Sequence, residues 1–166
     1  MARLILVIFC LVGGDRLEAP PIFEVDKVYC TSVVYEAEET PKPEFSKEAL
    51  WCYILEKNIL HPEIVYAQAV LETGNFTSRI FRESHNLFGM KLPKIRPTVA
   101  TGERYGHATY CHWKDSVDDY LLWQEMWSNI ETEAVYYTLL QRVYAEDQNY
   151  TRLVKTIRKQ NYEWNI

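Results

Sequence analysis

The chain has 166 residues, of which 48% are hydrophobic and 25% are charged. These values exclude a disordered or collagen-like protein and suit a single folded domain. A formal net charge of −5 argues against general electrostatic binding of nucleic acid or anionic lipid, whereas 12 tyrosines and 5 tryptophans suit a site that stacks flat ligands such as sugars.

The N-terminus has the layout of a secretory signal peptide. Arg3 gives a positive start, the uncharged run Leu4–Val12 follows, and Gly13 and Gly14 supply small residues before a cleavage site. About nine apolar residues are too few to span a bilayer. We therefore predict a signal peptide over residues 1–14 and export to the periplasm or the cell exterior. An N-terminal core strand is the alternative interpretation.

The cysteines and histidines show no metal-site pattern. Cys10 would leave with the signal peptide, and Cys30, Cys52 and Cys111 could form at most one disulfide. No Cys-x-x-Cys pair and no histidine cluster has metal-ligand spacing. We therefore predict neither a metal ion nor an organic cofactor.

Residues 15–45, which are rich in proline and glutamate, form a predicted lead-in segment, and residues 46–166 form the predicted domain. Ser46 is the expected N-cap of a helix over 47–57. Pro62 then begins a second helix that extends to about Thr73. This second helix is apolar almost all round, which predicts a buried, central position.

The remaining pattern predicts a small β-lobe set between helices. The predicted elements are a short helical segment over 77–84, an irregular β-lobe over 86–112, a helix over 116–129 capped by Asp115, and helices over 132–144 and 149–159. The predicted fold class is therefore α+β, mainly α, with a groove between the helical body and the lobe.

Glu72 is the main candidate for chemistry. At helical spacing it shares a face with Ile64, Val65, Gln68 and Ala69, so its carboxyl group is expected to be partly desolvated. Desolvation raises the pKa of a carboxyl group, and a carboxyl group still protonated near neutral pH can donate a proton to a leaving group. Gln68, on the same face, is a candidate substrate-binding residue. The alternative interpretation is that Glu72 lies in solvent at a frayed helix end.

A glycosidase usually needs a second acidic or polar group across the scissile bond, and Glu103 in the lobe is the main candidate. By itself a loop glutamate is also an ordinary surface residue. Asn86 could hydrogen-bond sugar hydroxyls or form a turn. Phe88, Tyr110 and Trp113 could line the groove as stacking faces or could belong to the core.

Four segments in order resemble the glucosaminidase family of bacterial peptidoglycan hydrolases, family 73 of the glycoside hydrolases. They are residues 67–76 (AQAVLETGNF), 85–91 (HNLFGMK), 110–120 (YCHWKDSVDDY) and 144–150 (YAEDQNY). The resemblance covers roughly residues 47 to 160. It implies a lysozyme-like fold, which agrees with the order of helices and lobe predicted above.

The resemblance also implies roles for individual residues. Glu72 takes the position of the catalytic acid, and Glu103 falls where family members carry a second glutamate in the β-lobe. Tyr150 matches a tyrosine that faces the cleft and assists the chemistry. Gln148 stands where the family usually has proline, which is a small change to a turn.

The activity implied by the resemblance is that of an endo-β-N-acetylglucosaminidase that cleaves the glycan strands of the bacterial cell wall. Its partner would be peptidoglycan rather than nucleic acid or a membrane. Two alternatives remain open at the level of sequence. One is a lytic transglycosylase or lysozyme-type muramidase on the same fold, and the other is a non-catalytic module that binds cell-wall glycan.

Overall fold

The computed structural model describes residues 44–161. The predicted signal peptide, all but the last two residues of the predicted lead-in segment, and Cys30 lie outside the described residues. The elements in chain order are α1 (Lys47–Glu56), α2 (Pro62–Glu72), α3 (Arg79–Ser84), β1 (Gly102–Arg104), β2 (His107–Thr109), α4 (Trp113–Gln124), α5 (Glu133–Leu139), a π-helical turn (Leu140–Tyr144) and α6 (Tyr150–Asn161). The predicted mainly helical domain with a small β-lobe is confirmed.

The central element is α2, as its apolar sequence predicts. Every residue from Ile64 to Ala69 is buried, and the helix packs mainly against α6 and α1. Pro62 occupies the first turn, where its missing N–H leaves no hydrogen bond unmade. Because α2 lies at the centre, its last residue, Glu72, is held in a fixed place relative to the rest of the core.

The β-lobe is an antiparallel hairpin in which Glu103 pairs with Ala108. Backbone hydrogen bonds tie the second strand to the segment after α3. The N–H of Ala108 donates to the carbonyl of Met90 over 2.8 Å, and the N–H of Tyr110 donates to the carbonyl of Ser84 over 3.0 Å. The hairpin is therefore anchored along one strand to the segment that precedes it in sequence.

The helix boundaries correct two sequence-based predictions. Helix α4 is capped by His112 and not by Asp115, which instead completes a capping box as the third helical residue. The helix ends at Gln124, short of the predicted residue 129. The helix predicted over 132–144 is α5 followed by the π-helical turn.

Within the described range, none of the helices combines the length and apolar character needed to cross a bilayer.

A buried ion pair holds the irregular segment between α3 and β1 against α4. Asp119 is fully buried and accepts two hydrogen bonds from the Arg96 guanidinium, at 3.0 and 2.7 Å. The hydroxyl groups of Thr98 and Tyr110 donate to the same carboxylate over 2.6 and 2.9 Å. Burial would raise the pKa of Asp119, but these hydrogen bonds outweigh it and hold the pKa below its ordinary value.

This arrangement predicts a large effect of Asp119→Asn on stability. The substitution leaves the Arg96 charge buried without its counter-ion, which should lower the free energy of unfolding by about 3 kcal/mol. Because the pKa of Asp119 is depressed in the folded state, its contribution is present above the unfolded-state value and is lost as the pH falls below about 4. Urea denaturation at neutral and acidic pH measures both effects.

The matched control is Asp118→Asn, one residue earlier in the same helix. Asp118 pairs with Lys57 at 2.8 Å, and both side chains are partly exposed. Exposed pairs contribute about 1 kcal/mol or less. Equal losses in the two variants would contradict the assignment of the buried pair as the principal anchor.

Candidate active site

The site is built around the carboxyl group that ends α2. Glu72 is partly buried and borders a cavity of about 450 Å³. Burial raises the pKa of Glu72 above its ordinary value, although a hydrogen bond from Tyr150 and the charge of His107 act in the opposite direction. The C-terminal end of a helix also disfavours a negative charge. The environment therefore shifts the equilibrium towards the protonated form relative to an exposed glutamate, and the protonated form is the one that a proton donor needs.

Tyr150, the first residue of α6, connects that helix to Glu72. Its hydroxyl group donates to Oε1 of Glu72 over 2.8 Å and accepts from Nε2 of Gln68 over 3.0 Å. Burial and the nearby Glu72 charge raise the pKa of Tyr150 well above its ordinary value. The phenol therefore keeps its proton and remains a hydrogen-bond donor to Glu72.

The hydrogen bonds behind Tyr150 have a defined direction. Oε1 of Gln68 accepts from the hydroxyl of Tyr120 over 2.7 Å, so the amide nitrogen of Gln68 must be the atom that donates to Tyr150. Tyr120 is in turn hydrogen-bonded to Tyr136, which accepts from Nε2 of Gln124 over 3.0 Å. Every donor in this chain points towards Glu72.

This direction decides which oxygen of Glu72 carries the acid proton. The hydroxyl oxygen of Tyr150 already accepts from Gln68, and its hydrogen is directed at Oε1 of Glu72. In a neutral carboxyl group the carbonyl oxygen is the better acceptor, so the hydrogen bond from Tyr150 to Oε1 favours the form with the proton on Oε2. The acid proton is therefore on the oxygen that does not contact Tyr150.

Gly89 lies against that second oxygen. Its backbone has a φ of +64°, and a Cβ atom at this position would lie 3.0 Å from Oε2 of Glu72. Glycine therefore serves two needs, the left-handed backbone and the space beside the carboxyl group. The turn that contains it is closed by Asn86, whose Oδ1 accepts from the N–H groups of Phe88 and Met90 over 3.2 Å each.

An aromatic side chain that the sequence analysis did not select also borders the cavity. Trp123 is partly exposed and packs edge-on against Tyr144, with ring centroids 5.2 Å apart. An indole face that borders the same cavity as Glu72 suits the stacking of a sugar ring. The spacing of Tyr120 and Trp123, about one turn apart on α4, was the sequence pattern that could have indicated it.

The structure places the predicted substrate-binding side chains inside the protein. Each is at most 4% exposed: Gln68, Asn86, Phe88, Tyr110 and Trp113. Their polar atoms form internal hydrogen bonds, such as the one from Tyr110 to Asp119 and those from Asn86 to the carbonyls of Met90 and Ala108. In place of direct sugar contact, we therefore propose that these residues support the walls of the site.

Glu103 is exposed on β1 and lies on the other face of the hairpin from His107. Successive side chains of a strand alternate between faces, and Glu103 pairs with Ala108, the residue next to His107. On the opposite face, Nδ1 of His107 lies 2.8 Å from the carbonyl oxygen of Gly89, the residue next to Glu72 in space.

Among residues 44–161, no group of three or more His, Cys, Asp or Glu side chains could hold a metal ion. Cys52 and Cys111 are exposed and unbonded.

Comparison with known proteins places this site in a family. A family model described as mannosyl-glycoprotein endo-beta-N-acetylglucosaminidase matches residues 51–163. Protein bax of Escherichia coli (strain K12) is 34% identical over 87 residues, which cover 52% of this chain and 30% of that protein. The chain thus spans less than a third of that relative.

Two solved structures match most of this chain. A chain of a type VI secretion system effector-immunity complex from Pseudomonas protegens matches with a TM-score of 0.50 at 20% identity, covering 68% of this chain and 86% of that one. The catalytic domain of the autolysin Auto from Listeria monocytogenes matches with a TM-score of 0.49 at 20% identity, covering 72% and 88%. Because the family model spans well over half of the chain and includes Glu72 and Tyr150, this protein belongs to the glucosaminidase family of glycosidases.

Proposed function

We propose that the protein is an exported endo-β-N-acetylglucosaminidase that hydrolyses the glycan strands of bacterial peptidoglycan. The observation that carries the proposal is the state of Glu72, a partly buried carboxyl group with a raised pKa at the edge of a cavity. Membership of the glucosaminidase family and the sequence resemblance to cell-wall hydrolases support the substrate class.

In the proposed reaction, Oε2 of Glu72 gives its proton to the glycosidic oxygen as the bond to the anomeric carbon breaks. The hydrogen bond from Tyr150 to Oε1 then stabilises the carboxylate that forms. Water then adds its hydroxyl group to the anomeric carbon, and its remaining proton returns to the Glu72 carboxylate, which restores the acid. We assign the assistance of that step to the N-acetyl group of the substrate, because Glu103 lies on the hairpin face opposite His107.

Products from purified peptidoglycan test the specificity directly. A glucosaminidase leaves N-acetylglucosamine at the new reducing end, whereas a lysozyme leaves muramic acid and a lytic transglycosylase leaves an anhydro sugar. Mass spectrometry of the released muropeptides separates these outcomes. A protein that sediments with the wall and releases nothing would be a binding module, which would contradict the proposal.

Substitution of Glu72 by glutamine should abolish most of the activity. Glu72→Gln keeps the size and hydrogen-bonding capacity of the side chain but removes the acid proton, so the rate should fall at least about a hundredfold. Turbidity loss of purified cell walls measures the rate, and circular dichroism checks the fold. Near-normal glycan release by the folded variant would remove Glu72 from the mechanism.

Tyr150→Phe should change both the rate and its pH dependence. Loss of a hydrogen bond to a charged acceptor should lower kcat about tenfold to a hundredfold. The Tyr150 hydrogen bond lowers the pKa of Glu72, so its removal raises that pKa and keeps the acid protonated to higher pH. The basic limb of the rate profile should therefore move upwards.

Two comparisons sharpen this experiment. Tyr53→Phe removes a phenol hydrogen bond to another carboxylate, Asp118, and should leave the rate profile unchanged. Glu103→Gln tests the second catalytic role. If Glu103→Gln is as defective as Tyr150→Phe, water activation belongs to Glu103 and the assignment to the N-acetyl group is wrong.

The close approach of Gly89 to Glu72 gives a further prediction. A methyl group at this position would displace Oε2, so Gly89→Ala should lower kcat at least about tenfold. Gly106→Ala is the matched control, because Gly106 also has a positive φ, of +75°, but a Cβ there meets nothing within 4 Å. Both variants should lose about 1–2 kcal/mol of unfolding free energy from the left-handed backbone. Equal activities would show that the contact with Glu72 is unimportant.

A further inference from the structure

The starting observation is the hydrogen bond between the hairpin and the turn beside Glu72. Nδ1 of His107, on β2, lies 2.8 Å from the carbonyl oxygen of Gly89. A carbonyl oxygen can only accept, so Nδ1 carries a hydrogen and donates it. This contact requires a hydrogen on Nδ1 and ties the ring to one backbone atom.

The contact completes a clamp on the peptide bond between Gly89 and Met90. The carbonyl of that peptide accepts from His107, and its N–H donates to Oδ1 of Asn86 over 3.2 Å. The preceding carbonyl, of Phe88, accepts from the hydroxyl of Tyr144. Both polar groups of the Gly89–Met90 peptide are thus occupied, which opposes its rotation.

Rotation of this peptide would matter because of what lies next to it. The position of a Cβ on Gly89 is 3.0 Å from Oε2 of Glu72, the oxygen that carries the acid proton. A glycine at a φ of +64° has little intrinsic resistance to changing its backbone angles. If the Gly89 carbonyl turned towards Glu72, its lone pairs would face the carboxylate that forms when the proton leaves. The bond to His107 keeps this carbonyl directed to the hairpin.

The register of the hairpin assigns this task to His107 and not to the neighbouring acidic residue. His107 pairs with Arg104, and Glu103 pairs with Ala108, so His107 and Glu103 lie on opposite faces. When His107 is protonated, its positive charge acts to lower the pKa of Glu72. His107 is therefore the hairpin side chain that contacts the turn beside Glu72.

We propose that His107 is a positioning residue for the catalytic acid, and that it acts by holding the Gly89 carbonyl away from Oε2 of Glu72. The inference rests on the proposed role of Glu72 as proton donor. It makes the β-hairpin part of the catalytic machinery through a hydrogen bond to the backbone. It predicts that kcat is maintained only when the side chain at position 107 places a hydrogen-bond donor where Nδ1 lies.

Three substitutions test this geometry. The side-chain nitrogen of asparagine can occupy the position of Nδ1, whereas that of glutamine reaches the position of Nε2. His107→Asn should therefore keep kcat within about threefold of the wild type, while His107→Gln and His107→Phe should each lower it at least about tenfold. KM should change little, since the residue is not proposed to contact substrate. Equal kcat values for the asparagine and glutamine variants would overturn the proposal.

A control and a second measurement separate this inference from the proposed function. Thr109→Val alters the same strand and the same face two residues away, and should leave kcat unchanged. The pKa of Glu72, followed by NMR of a carboxyl-labelled protein, should change more in His107→Phe than in Thr109→Val. If Glu72→Gln is inactive but all His107 variants are fully active, the inference about His107 fails alone. If Glu72→Gln is active, the proposed function itself fails.

Discussion

The hydrogen bond from Tyr150 to Glu72 is the interaction on which the rest of the site depends. It joins residues 78 positions apart, at the end of α2 and the start of α6. These two helices pack against each other through the centre of the domain. Because the phenol also accepts from Gln68, it can only donate to Glu72, and the core therefore specifies the direction of the hydrogen bond as well as its length.

The two oxygens of Glu72 consequently have different environments. Oε1 is bound to a buried phenol, and Oε2 lies beside Gly89, where no side chain intervenes. A symmetric environment would share the proton between both oxygens and present it to substrate in either of two directions. Asymmetry gives one geometry for proton transfer, which is how positioning adds to the effect of a raised pKa. The turn containing Gly89 therefore shapes the surroundings of the proposed acid as much as the helix that carries Glu72 does.

The sequence predicted the secondary-structure elements better than the burial of individual polar and aromatic side chains. Helix α2, its proline start and its buried face follow from local pattern, and the position of Glu72 follows from the helix. The roles of Asn86 and Tyr110 did not follow, because polar and aromatic side chains fit a groove and a core equally well in sequence. Burial depends on which elements pack together, and that information is absent from local spacing. The cap of α4 was misassigned to Asp115 for a related reason, since a capping box uses two residues and the sequence shows no preference between them.

Two carboxyl groups in this domain show how environment and not residue type sets protonation. Asp119 is completely buried yet has a lowered pKa, because Arg96, Thr98 and Tyr110 all donate to it. Glu72 has a raised pKa, because the effect of burial outweighs the single hydrogen bond that Tyr150 donates to it. Arg96 borders the same cavity as Glu72, and an unpaired positive charge near Glu72 would favour its carboxylate form. Its two hydrogen bonds to Asp119 pair that charge, so Asp119 and not Glu72 is the counter-ion of Arg96 in the segment that the ion pair anchors.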